Sequence, residues 1–238
     1  MRQLRIAGLM ILSWALLVGC VTQRTTTNIK GDGSGTNDLR IGFSRQFLAL
    51  AGMNGGSGGS NQADALFDQL DGLAEDLPAE WNARSEPWES EDKEFRGTRL
   101  LMDFKDLEML SQQFSPEQLG SNPLAGVFQE FEARRDGASF VIHAKIDMSG
   151  AGEELGAEAE QMQSLLDSGM LGDSKPELVW RIELPGEITE WSERESAVHE
   201  GNAVTYTFPL TGGQSYVIDI RGKSAVGLPS PLVLVVGG

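Results

Sequence analysis

Only a few side chains in this 238-residue sequence have the type and spacing to do chemistry. Cys20 is the sole cysteine, which excludes an internal disulfide framework and a cysteine-based structural zinc site. His143 and His199 are the only histidines, and neither has a nearby motif partner. Carboxylates gather as Glu89, Glu91 and Asp92, as Glu153 and Glu154, as Glu158 and Glu160, and as Glu193 and Glu195. General acid–base work needs two carboxyls held across a cleft with separated pKa values. These carboxylates instead lie beside Ser, Gly and Lys in segments that read as solvated faces. No D-x-D-x-D-G loop offers a calcium site, and no strand-to-helix nucleophile elbow licenses a Ser–His–Asp triad. The Gly31–Gly35 run lacks the Lys-Ser/Thr of a phosphate loop and is better explained as a turn. The expectation is therefore a protein that is not an enzyme and holds no metal and no cofactor.

The position of Cys20 is more telling. Met1 to Arg5 is a short positive region, and Ile6 to Val18 is an apolar run interrupted only by Gly8 and Ser13. That run is too short to span a bilayer, which takes about 20 apolar residues, but suits the core of an export signal. It ends in Leu17-Val18-Gly19-Cys20, which looks like the lipobox of bacterial lipoproteins. A thiol is needed to carry a diacylglyceryl group, and a small residue before it lets the signal peptidase close on the backbone. Residues 1–19 are read as a signal peptide and Cys20 as the lipid attachment point on the first mature residue. Acyl chains of palmitate type, at roughly 0.8 kcal/mol per buried CH₂, would hold the protein to the extracytoplasmic face of the cell membrane.

Composition narrows the rest. The chain is 40% hydrophobic and 23% charged, an ordinary globular balance. Its 35 acidic and 19 basic residues give a net charge of −16. Nucleic acid, a polyanion, is thus excluded as a natural partner. Removing residues 1–19 takes away Arg2 and Arg5 and no acid, so the mature chain is still more negative.

Alternation supplies most elements that would position these groups. Val21 to Lys30, the turn at Gly31–Gly35 and Asp38 to Ser44 read as a hairpin starting within a few residues of the lipid. Met53 to Asn61 reads as a flexible loop, and Gln62 to Leu77 as an amphipathic helix stopped by Pro78. Ala79 to Asp92 shows no clear period. Glu94 to Phe104 reads as a strand, and Asp106 to Phe114 as a short helix capped by Asp106. Val127 to Arg134 and Ala138 to Met148 flank an Asp136-Gly137 turn. Glu153 to Met170 reads as a further helix, and four strand-like runs follow over 177–184, 187–198, 203–210 and 214–221. The expected fold is α+β: one curved antiparallel sheet of seven to nine strands packed by about three helices, over residues 20–225, with 226–238 as a C-terminal tail.

The apolar strand faces define a candidate pocket lining: Leu100, Met102, Phe104, Phe140, Ile142, Trp180, Ile182, Tyr206, Phe208 and Ile218. A curved sheet under helices tied on flexible loops favours a cavity. Leu66, Leu70, Met162 and Leu166 would then form a movable lid, and methionines an adaptable wall.

Several motifs carry a family resemblance. They are the lipobox, the Asn28–Gly35 hairpin, the Glu94–Arg99 entry to a strand, Ile182-Glu183-Leu184-Pro185-Gly186-Glu187-Ile188, and Glu200 to Tyr206. Together, over most of residues 20–225, they resemble the LppM-type lipoproteins of actinobacterial envelopes. The resemblance implies a curved sheet and helices enclosing an apolar cavity for membrane lipids or glycolipids, and it brings no catalytic residues. Members often carry a C-terminal transmembrane helix, whereas Leu232 to Val236 is far too short for one. The reading that results is a lipid-anchored extracytoplasmic protein binding a lipid or amphiphile in an apolar pocket. The alternative is a non-enzymatic envelope interaction module without a cavity.

Overall fold

The computed structural model describes residues 21–46, 48–49, 67, 70, 72–115, 127–148, 177–209 and 214–224. The opening hairpin forms as its alternation demands. β1 (Val21–Ile29) and β2 (Gly35–Ser44) pair antiparallel from Val21 opposite Phe43 to Ile29 opposite Gly35. Their turn is closed by Lys30 N–H to the Ser34 carbonyl at 2.7 Å, with Asp32 Oδ1 accepting from the Ser34 amide at 2.9 Å. Gly33 takes φ +92° there, a conformation glycine alone adopts without strain.

Nine further strands follow among the described residues. They are β3 (Arg84–Glu89), β4 (Phe95–Phe104), β5 (Phe128–Asp136), β6 (Ser139–Asp147), β7 (Glu177–Glu183), β8 (Ile188–Trp191), β9 (Ala197–Glu200), β10 (Ala203–Pro209) and β11 (Ser215–Lys223). One α-helix, α1 (Leu107–Gln113), has Asp106 as its cap, accepting from the Met109 amide at 2.8 Å. Short 3-10 turns lie at Gly72–Ala74 and Ala79–Trp81.

The strands form two sheets rather than one. A seven-stranded sheet runs β3-β4-β2-β1-β7-β10-β9, and a four-stranded sheet runs β5-β6-β11-β8. All neighbours are antiparallel except β1 and β7, which are parallel. The sheets meet through apolar faces: Trp180 of β7 lies 5.4 Å from Phe128 of β5, and Phe208 of β10 lies 4.8 Å from Tyr216 of β11, between ring centroids. One buried cluster includes residues of both sheets and of α1.

This corrects the expected α+β class. The described residues are mostly β, in two sheets of seven and four strands, and α1 is the one α-helix whose bounds lie fully among them. Alternation announces that a strand has one apolar face, but not which strand pairs with which. Here two apolar sheet faces cover each other, a role the sequence reading assigned to helices. The Pro185-Gly186 turn is where this is decided. The turn does not return the chain beside β7 but sends β8 across to pair with β11. Asn202 Nδ2 binds the Leu184 carbonyl at 2.8 Å at this corner.

Of the two other expected helices, Phe67 and Leu70 are helical, while Gly72–Ala74 is a 3-10 turn and Leu70 is buried in the core. The remaining expectations lie outside the described residues: the signal peptide and Cys20, the 53–61 loop, the helix over 153–170, Leu66, Met162, Leu166 and the 226–238 tail.

Candidate functional site

Pairing register assigns each residue to a face, because directly opposed residues share one side. On the inner face of the large sheet, seven of the ten expected lining residues appear: Leu100, Met102 and Phe104 on β4, Trp180 and Ile182 on β7, and Tyr206 and Phe208 on β10. Phe140, Ile142 and Ile218 come from β6 and β11 of the opposing sheet. All ten are buried, none above 3% exposed, in one continuous cluster. The Trp180 ring sits among Phe114, Phe128 and Phe131, at 5.8, 5.4 and 5.9 Å.

Sequence reasoning missed what lies between them. The middle strand of the large sheet, β1, carries Gln23, Thr25 and Thr27 inward, and all three are at most 2% exposed. Gln23 stands between Ile41 and Leu178, Thr25 between Leu39 and Trp180, and Thr27 between Asn37 and Ile182. A polar seam therefore crosses an otherwise apolar face.

Part of this seam is satisfied internally. Thr27 Oγ1 accepts from Trp180 Nε1 at 3.2 Å. Asn37 Nδ2 donates to Gln113 Oε1 at 2.7 Å, and Gln113 Nε2 donates to the Asp103 carbonyl at 2.8 Å, which stitches α1 to the sheet. Among the described residues, no protein group hydrogen-bonds the buried Gln23 Nε2, Thr25 Oγ1 and Asn37 Oδ1 atoms. Each orphaned group costs about 1–3 kcal/mol in an apolar interior. None of the seam residues is ionisable, so what complements them is neutral. The signal was present in the alternation of Gln23, Thr25, Thr27 and Ile29, but the hairpin reading did not say which face would be buried.

Tyr206 closes one side of this region. Burial pushes its phenol up to about 12, against the small opposing effects of the Ser192 backbone and Arg194. The Ser192 N–H is already committed to the Asp219 carbonyl at 2.9 Å, and among the described residues the Tyr206 hydroxyl has no regular hydrogen-bond partner. Tyr206 is thus a neutral polar group and not a proton carrier at physiological pH.

The outer face of the large sheet is wet and ion-paired. Arg99 and Arg40 both reach Asp38, Arg99 Nε at 2.9 Å and Arg40 Nη2 at 2.6 Å, and Arg99 also reaches Glu86 at 2.7 Å. Burial opposes ionisation of Asp38, but the hydrogen bonds from Arg40 and Arg99 outweigh it and hold its pKa below the usual carboxylate range. Glu183 is lowered similarly, first by Arg181. These groups hold strands together.

The histidines do not converge on a nucleophile. His143 Nδ1 meets Asp219 at 2.8 Å, while His199 stacks on Trp191 at 4.2 Å and contacts the Gly201 carbonyl at 2.9 Å. Among the described residues no group of three or more His, Cys, Asp or Glu side chains could hold a metal ion. No helix among them is long and apolar enough to cross a membrane.

Fold and site together define a two-sheet β domain with an apolar interior crossed by a polar strand. The chain is structurally similar to the folded domain of LppM from Mycobacterium tuberculosis, solved by NMR, with a TM-score of 0.51, 12% sequence identity, and coverage of 87% of this chain and 91% of that one. The likeness establishes a structural relationship at the level of the fold. No family model matches the sequence, and no curated protein does.

Proposed function

We propose that this protein is an LppM-like lipoprotein, anchored through an acylated Cys20 on the extracytoplasmic face of the membrane, whose domain binds a neutral-headed lipid or other amphiphile and catalyses no reaction. The observation that carries the binding reading is the buried seam of Gln23, Thr25 and Asn37, with three polar atoms unpartnered inside an apolar face. An amphiphile supplies what such a face lacks. Its chain adds apolar contact, at roughly 25 cal/mol per Å² removed from water, and its hydroxyls or amides satisfy the seam. The shared fold with the LppM domain and the Leu17–Cys20 motif support the anchored setting.

Replacing seam residues by apolar ones of similar size separates this reading from a purely structural one. Thr25→Val and Gln23→Met each remove an orphaned polar group, so the ligand-free protein gains about 1–2 kcal/mol per site in denaturant unfolding. The same variants bind a monoacylglycerol bearing a fluorophore at its chain end at least about tenfold more weakly, the loss of roughly one hydrogen bond to the head. Loss of stability with unchanged lipid titration would show that the seam serves the fold alone.

A further inference from the structure

We infer that the concavity at the start of β1 is a docking socket for phosphate headgroups of an anionic bilayer and sets how the anchored domain stands on the membrane. This rests on the acylation of Cys20 proposed above. The cavity, about 390 Å³, is lined by Arg45, Leu48, Glu89 and Arg96.

Its location follows from the ladders. Val21 pairs with Phe43, Phe43 with Arg96, and Arg96 with Glu89, so one row of paired backbone positions crosses the sheet from the first residue of β1 to the cavity. Neighbouring strands lie about 4.8 Å apart, which puts Arg96 roughly 10 Å from Val21. Cys20 is one peptide before Val21, about 3.8 Å between Cα atoms. An acylated Cys20 brings its chains, and the headgroup layer around them, within reach of these arginines.

The charges fit that surface. Arg45 pairs with Glu89, the one carboxylate among the lining residues. The Arg96 guanidinium lies over the Phe67 ring at 5.1 Å and, among the described residues, pairs with no carboxylate. The cation–π contact holds the Arg96 side chain beside the Phe67 ring. Among the lining residues two guanidiniums face one carboxylate, on a chain of net charge −16. A guanidinium fork matches the oxygens of a phosphodiester, and Leu48 gives the glycerol side an apolar wall. Without such a socket the body of this acidic domain is pushed away from anionic lipid.

The test uses the mature acylated chain, purified from membranes and mixed with an excess of vesicles of phosphatidylcholine alone or with added phosphatidylglycerol. Modification of individual arginines by phenylglyoxal is followed by peptide mass. Phosphatidylglycerol is expected to slow Arg45 and Arg96 roughly fivefold each, the factor that matches one basic side chain attracted to an anionic surface. Arg84, exposed and facing the other side of β3, keeps its rate. Equal rates at Arg45 and Arg96 on both vesicles overturn the proposal. Flotation with pure phosphatidylcholine reads the anchor alone, because that surface carries no net charge. A chain that fails to float there refutes acylation. The headgroup socket then stands only if phosphatidylglycerol still protects the two arginines, and falls otherwise.

Discussion

Gly97→Ala is expected to abolish the folded domain. A Cβ on Gly97 would sit 1.8 Å from the Ile41 carbonyl oxygen and 2.6 Å from the Gly42 Cα. Both are backbone atoms of β2, in the interior of the seven-stranded sheet, so no side-chain rotation relieves the clash. β2 and β4 would have to separate along a ladder that runs from Gly35 opposite Phe104 to Ser44 opposite Phe95. The cost exceeds about 4 kcal/mol, comparable to the whole stability of many domains. Circular dichroism and urea unfolding of the variant should show no cooperative transition. Gly72→Ala, with nothing within 4 Å of its added Cβ, should leave the transition within about 1 kcal/mol of the parent. A Gly97→Ala protein that unfolds like the parent would refute the close β2–β4 approach.

Trp180→Ala should lower stability by about 3–5 kcal/mol, the range for removing a large buried aromatic. The Trp180 ring is fully buried and packs against three phenylalanines, Phe114 at the end of α1 and Phe128 and Phe131 of β5, linking the large sheet to what covers it. Its indole N–H also satisfies Thr27, so truncation orphans one more polar atom of the seam. Denaturant unfolding should show a lower midpoint with an unchanged slope, since the surface exposed on unfolding hardly changes. Trp180→Phe keeps most of the ring contact and should lose clearly less. A cost below about 1 kcal/mol for Trp180→Ala would mean that the ring faces open space, not packed neighbours.

The strands were legible because their chemistry is local. Phe140, Ile142, Ala144, Ile146 and Met148 alternate without a break, and β6 forms where that period predicts. Asp106 announced α1 because a carboxylate that accepts from the third amide on is a local device. β3 was not legible: its Pro87 and Trp88 interrupt any period, and only an edge strand tolerates the missing N–H. The Glu187–Val198 run concealed two short strands, β8 and β9, that join different sheets. That division, like the parallel pairing of β1 with β7, depends on residues far apart in the chain. The ten residues expected to line a pocket are all buried in the core, since hydrophobic side chains mark a buried face directly. The seam escaped notice because Gln23, Thr25 and Thr27 are buried by partners that sequence spacing does not reveal.

A neutral amphiphile held beside that seam, in a protein tethered at its first mature residue, is best tested by native mass spectrometry of the mature chain extracted from membranes in mild detergent. The mass predicted is that of the chain from Cys20 with a covalent diacylglyceryl group, plus a lipid-sized adduct that leaves on collisional activation. A free Cys20 thiol, or a protein that never carries such an adduct, would contradict the account.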